Sequence, residues 1–214
     1  MLRPIDIIRC FHTAFRRDMY QIDTKVNRAA REGGNLASVL ERLHTMNELL
    51  DYHARGEEAA VFPAMDKLVP QLATPYLLDH RELDIMVDAL EKIRQNPDPL
   101  TTARATAVLE SFLRIHLNKE DAHLYPILRE RTTDDEQVAI GVLLAKSVPP
   151  DKFPTLIQWL FPLLDLEDQV FVARGWVKVL PPQTLAGIRP LMQKAIAGNW
   201  VKLSQLVPEL EHQL

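Results

Sequence analysis

The chain has 214 residues, 47% hydrophobic and 25% charged, with a net charge of −4 and a pI of about 6.0. This is globular composition, long enough for one sizeable core or a core with an extension, and it excludes a disordered chain. No basic surplus exists to draw nucleic acid or an anionic membrane surface, and the single cysteine, Cys10, excludes both an intramolecular disulfide and a cysteine-based zinc site.

Apolar residues recur at helical spacing nearly throughout and strand-like alternation is scarce, so the expected class is all-α. The first helix starts near Pro4 and carries Ile5, Ile8, His12, Phe15, Met19, Ile22 and Val26 on one seam; Gly33-Gly34 stops it. The second carries Leu36, Val39, Leu43, Met46, Leu50, His53, Glu57 and Ala60 and is expected to end near Pro63. The third carries Tyr76, His80, Leu83, Val87 and Leu90 and stops at Asn96-Pro97-Asp98-Pro99. The fourth carries Ala105, Leu109, Phe112, His116, Glu120, His123 and Ile127. Short connections within each pair predict antiparallel neighbours, and so an up-down-up-down four-helix bundle over residues 1–131. A fifth helix is expected over 134–148, where Asp134-Asp135-Glu136 suits an N-terminus. Proline-punctuated helices follow over 151–164, 166–179, 182–197 and 199–211.

The composition shifts at Pro149-Pro150. Residues 149–214 hold eight of the fifteen prolines, all three tryptophans and one histidine. The stretch 132–214 reads as a helical extension: a cap on the bundle, a surface for a partner or a homodimer, or a lid over a site. No run approaches about 18 apolar residues and no signal-peptide core opens the chain, so a reducing, soluble compartment, most simply the cytoplasm, is expected.

The bundle seams are interrupted by polar groups that need partners if buried. From Gly34, His12 lies 22 residues back, His53 lies 19 ahead and Glu57 lies 23 ahead. At about 1.5 Å per residue these fall at one depth. His80, His116 and Glu120 repeat the relation about the turn at Pro97-Asp98. The second and fourth helices share the pattern H-x-x-x-E-[ED]-x-x-[VL]-[FY]-P, from His53 to Pro63 and from His116 to Pro126. An i,i+4 pair shares one face, so each hairpin offers one histidine from its first helix and a histidine with a carboxylate from its second. Four histidines and two carboxylates brought together suit a dinuclear metal site, histidines terminal and Glu57 and Glu120 bridging. A lone histidine on an apolar face is more often a core residue than a ligand; it is the agreement of six residues in type, face, depth and repeat that favours metal. Manganese and zinc suit these donors as well as iron does. His44 and His212 are not expected to bind, Cys10 points elsewhere, and the methionines read as core fillers.

The repeated motif with its upstream histidines resembles the hemerythrin family, in the branch called the HHE cation-binding domain, over about residues 4–130. The resemblance implies a four-helix bundle holding a non-haem di-iron centre, oxo- or hydroxo-bridged, with His12, His53, Glu57, His80, His116 and Glu120 as ligands. Oxygen-carrying members add a fifth histidine on the third helix; the positions four away from His80 are Asp84 and Tyr76, so the resemblance does not carry reversible oxygen transport. The carriers' last carboxylate position is occupied by Asp121, but Glu120 shares the seam with His116 and is preferred. His123 stands open as a ligand, a group behind the ligands or a structural histidine. Tyr76 and Glu58 are candidates for supporting roles. The extension resembles segments that follow hemerythrin domains in plant iron-regulatory ubiquitin ligases, without RING cysteines.

Three functions follow as expectations. The centre binds oxygen or nitric oxide, or senses iron or redox state, with the extension reading it out. Alternatively it turns over peroxide or oxygen, as a peroxidase, catalase-like enzyme or oxidase, with His123, Tyr76 or Glu58 moving protons. Alternatively the bundle is a metal-free helical interaction domain.

Overall fold

A computed structural model describes residues 2–211 and is helical throughout, with no strand among them. Four long rods form the bundle: α1 (Ile7–Glu32), α2 (Ala37–Gly56), α4 (Thr74–Gln95) and α5 (Pro99–Lys119), with α3 (Phe62–Leu68) and α6 (Tyr125–Arg131) prolonging α2 and α5. α1 packs on α2 and α5, and α4 packs on α5 and α2, which closes the ring. Contacts within each hairpin join residues equidistant from its turn, His12 with His53 and His80 with His116, as an antiparallel register requires. Gly33, at φ +73°, ends α1 in a backbone region that side chains disfavour. Asp98 caps α5 by accepting from the Thr101 amide. The expected seam residues Phe15, Met19, Ile22, Leu43, Met46 and Leu109 are buried in the core, joined by Leu113, which the expected seam of the fourth helix does not include; Ala105 and Phe112, which it does include, are only half-buried.

The second helix does not end at Pro63. A five-residue π-turn, Glu57–Val61, is inserted there, and the rod runs on to Leu68. The fourth helix repeats this with a π-turn over Glu120–Leu124. In each turn the amide after it reaches back five residues, Phe62 N–H to the Glu57 carbonyl and Tyr125 N–H to the Glu120 carbonyl. A proline inside an α-helix loses one hydrogen bond and clashes with the carbonyl four residues back. The wider turn lets Pro63 and Pro126 stand without breaking the rod. Both turns open on a seam glutamate, a placement common for π-bulges at functional sites.

The extension folds against this frame. α7 (Asp134–Ala145) starts at a capping box between Thr133 and Glu136. α8 (Phe153–Leu163), α9 (Leu166–Val179), α10 (Pro182–Ala195) and α11 (Trp200–Leu206) follow near the expected boundaries. α8 and α9 lie on α1, where the Trp159 ring packs tilted against Phe15 at 4.7 Å and its indole N–H donates to Asp18 at 2.6 Å. α7 lies on the first π-turn and on α2, where a Cβ added at Gly56 would stand 2.8 Å from Leu144 Cγ. Bundle and extension share one apolar cluster. Among the described residues no helix is long and apolar enough to cross a membrane.

Candidate metal centre

The six seam residues meet at one level. His12, His53, His80 and His116 are at most 5% exposed, and Glu57 and Glu120 are fully buried. Glu57 stands between the histidine pairs: its Oε1 lies 3.3 Å from His53 Nε2 and 3.7 Å from His12 Nε2, and its Oε2 lies 3.4 Å from His80 Nε2. Glu120 does the same from the other hairpin, with Oε2 at 3.6 Å from His12 Nε2, and Oε1 at 3.5 Å from His116 Nε2 and 3.9 Å from His80 Nε2. Two groups that could each hold a metal ion result, Glu57–His80–His116–Glu120 and His12–His53–Glu57, each with candidate donor atoms within 4.8 Å of one another. With metal–ligand distances of about 2.1 Å, atoms sharing one ion lie roughly 3 to 3.5 Å apart.

Three histidines are oriented from behind. His12 Nδ1 meets Asp121 Oδ1 at 2.8 Å, His80 Nδ1 meets Glu58 Oε1 at 3.1 Å, and His116 Nδ1 meets Asp79 Oδ2 at 3.2 Å. A carboxylate can only accept, so each Nδ1 carries the proton and each Nε2 is turned inward, free to ligate once it has shed any proton of its own. Arg16 holds Asp121, Arg81 holds Glu58 and Lys119 holds Asp79. Asp121 and Glu58 occupy the acidic position after each glutamate of the repeat, and each serves the first-helix histidine of the other hairpin. His53 differs. Its Nδ1 is buried with no hydrogen-bond partner, and Phe11 stacks on its ring at 6.1 Å.

The residues fit a cation. His12 Nε2 and His53 Nε2 lie 3.1 Å apart, which sets two lone pairs against each other unless a proton or a metal stands between. Both Glu120 oxygens and Glu57 Oε2 are buried without a hydrogen-bond partner; such groups are costly unless a charge meets them. Burial and the Glu57 charge push the Glu120 carboxyl well above its usual range. Burial works on Glu57 the same way, but the neighbouring His53, His12 and His80 outweigh it and hold that carboxyl well below. Burial alone would lower His12; the hydrogen bond to Asp121 and the nearby Glu57 carboxylate reverse this and raise it to about 10. Burial pushes His116 down to about 4, against the pull of Glu57. A site left with protons for cations is thus unevenly charged, and metal binding would release protons.

The other expected residues fall elsewhere. His123 is exposed, because the π-turn moves it off the seam that plain α-helical spacing gives it. Asp84 is exposed and pairs with Arg81. Tyr76 is buried, yet its hydroxyl donates to the Lys119 carbonyl at 3.4 Å and not to the cluster. His44 faces away and meets Glu91 at 3.0 Å. Cys10 is buried packing, its thiol pushed up to about 12 by burial and then by Asp168. Met19 and Met46 fill the core. His212 lies outside the described residues. Sequence reasoning missed Asp79, one residue before His80; for Tyr125 it offers packing with a hydrogen-bonded hydroxyl but no partner, and that hydroxyl donates to Glu57 Oε1. Only the fourth-helix copy of the motif has a tyrosine at its [FY] position, and that difference was the available signal.

A helical bundle with two adjoining histidine–carboxylate groups sharing a buried glutamate defines a cation-binding protein. The hemerythrin HHE cation-binding domain profile matches residues 3–128, more than half the chain, and the chain belongs to that family. Similar curated proteins are three zinc finger proteins of Arabidopsis thaliana. A BRUTUS-like protein is 23% identical over 94% of this chain and 16% of its own length. Zinc finger protein BRUTUS is 22% identical over 86% and 15%. A second BRUTUS-like protein is 25% identical over 79% and 14%. The chain therefore spans about one sixth of these relatives, and the likeness reaches past the bundle into the extension. No solved structure matches it.

Proposed function

We infer that the chain holds a non-haem di-iron centre that binds a neutral diatomic ligand, oxygen or nitric oxide, and that the extension responds to its state. The observation that carries the reading is the placement of Glu57 and Glu120, each turning oxygens toward both histidine pairs. His12 and His53 would hold one ion and His80 and His116 the other, with Glu57 and Glu120 placed to serve both. Iron held by these six side chains would supply the capacity to bind a small ligand. The protein's own part is to orient the imidazoles through Asp121, Glu58 and Asp79, to steady Glu57 through the Tyr125 hydroxyl, and to exclude water by burial. Iron is chosen over manganese or zinc on family grounds.

The turnover reading has less support. Of the groups it relies on, His123 is exposed, Tyr76 donates to a backbone carbonyl, and Glu58 is held between His80 and Arg81. The deciding measurement is metal content after anaerobic purification, followed by optical spectra as oxygen or nitric oxide is admitted. Two irons per chain and a spectrum that changes with gas are expected. Zinc, or no metal after iron reconstitution, would overturn the reading and leave a helical interaction domain.

A further inference from the structure

Behind His53, on the side where the extension meets the bundle, lies a cavity of about 70 Å³. Phe11, Leu49 and His53 wall it from the bundle, and Leu144, Phe153 and Trp176 wall it from the extension. We propose that this cavity is a docking site for a neutral diatomic gas, behind the histidine that closes one half of the metal centre.

Its size and chemistry select that occupant. A single water needs roughly 10–15 Å³ on this measure, and an apolar cavity of about 150 Å³ stays dry and takes benzene or xenon. The space here lies between those limits, with room for a small molecule but not for a ring. No charged side chain lines it, so an ion is excluded. Water needs two to four polar partners. The polar side-chain groups on the lining are those of His53, Ser147 and Trp176, and the Ser147 hydroxyl already donates to the Leu144 carbonyl at 2.7 Å. What remains is the indole N–H of Trp176, which can only donate, and His53, 5% exposed, whose Nδ1 alone among the four site histidines has no partner. These side chains offer donors and leave a water's own hydrogens without an acceptor, whereas a weakly accepting diatomic needs only an apolar surround with a donor at its edge.

The location gives the site a consequence. His53 faces Glu57 with its Nε2, so an occupant beside its ring touches a ligand of the centre without touching the centre. The opposite wall belongs to helices α7, α8 and α9, and Leu144 packs on Gly56, next to Glu57. Filling or emptying the cavity therefore loads both a metal-ligating ring and the extension. The existence of the site rests on the cavity; its physiological occupant rests on the gas-binding reading.

The test uses the full chain without metal, so that it stands even if iron loading fails. Under xenon, the methyl NMR signals of Leu49, Leu144 and Leu156, which line the cavity, should shift several-fold more than those of Leu109 and Leu113 in the bundle core. Oxygen and nitric oxide are paramagnetic and should broaden the same lining methyls; the gas whose effect saturates at the lower pressure names the source. Two filling variants, Val148→Phe and Gly141→Leu, should each abolish the effect, and Leu156→Ala should enlarge it; a Cβ at Gly141 meets no atom within 4 Å. Well-dispersed methyl spectra would show that the variants fold. Lining methyls no more affected than core methyls, or an effect that survives both filling variants, would overturn the proposal. So would water cross-peaks to the lining methyls, which would show a wet cavity.

Discussion

Three of the four site histidines are backed by a carboxylate and the fourth is not. Asp121 fixes His12, Glu58 fixes His80 and Asp79 fixes His116, each carboxylate steadied in turn by a cation. His53 has only the stacked ring of Phe11 and the tilted ring of Phe15 at 5.3 Å. Groups behind a ligand commonly contribute about 10–100-fold in metal affinity. The His80/His116 half should therefore fill first and the His12/His53 half second, in two resolved steps of a calorimetric titration. Asp79→Asn should weaken the first step by about 10–100-fold and draw the two together, and His44→Gln should leave both unchanged. Equal stepwise constants in the unaltered chain would contradict the assignment. Repeat and depth made the clustering of the six residues legible in the sequence, because helical spacing fixes face and level. Asp79 was not legible, because it lies on no seam and its use depends on how α4 rotates against α5.

At the scale of the element, the two π-turns decide the site. Each adds one residue to a helical turn at a buried seam glutamate and lets a proline follow within the rod. Hydrophobic periodicity cannot reveal a one-residue insertion, since the apolar pattern resumes within a turn. Pro63 therefore read as a stop and His123 as a seam residue. The repeat H-x-x-x-E-[ED]-x-x-[VL]-[FY]-P was visible, but its closing proline marks a change of helix type. Deleting Ala59, exposed within the first turn, should return 57–61 to α-helical geometry. Glu57 would then lose its alignment with α3 and with Tyr125, or Pro63 would break the rod. Helical circular dichroism should stay close to that of the unaltered chain while metal stoichiometry falls. Full metal binding by the deletion variant would show that the turn is dispensable. The Thr133 cap of α7 gives a contrast: Thr133→Ala should cost about 1 kcal/mol in denaturant unfolding and leave metal content alone.

At the scale of the whole molecule, the extension is packed as part of the core. Its helix boundaries could be read from prolines and tryptophans, but its seat could not. Trp159 and Asp18 are 141 positions apart, and no local pattern announces a pair so distant. Asp18 is fully buried on α1, held by Arg42 from α2 and by the Trp159 indole from α8. A buried carboxylate is stable only while its partners remain. Trp159→Phe keeps an aromatic ring on Phe15 but removes the donor to Asp18, a loss of about 1–3 kcal/mol on the usual scale for an unsatisfied buried acceptor. Because the apolar cluster runs from Phe15 through Trp159 to Trp176 and Trp200, fluorescence of the remaining tryptophans and helical signal should fall in one transition, shifted to lower denaturant in the variant. Two separated transitions, with the tryptophans reporting first, would mean that the extension unfolds alone. The centre could not then depend on it, and the link from His53 through the shared wall would fail with it.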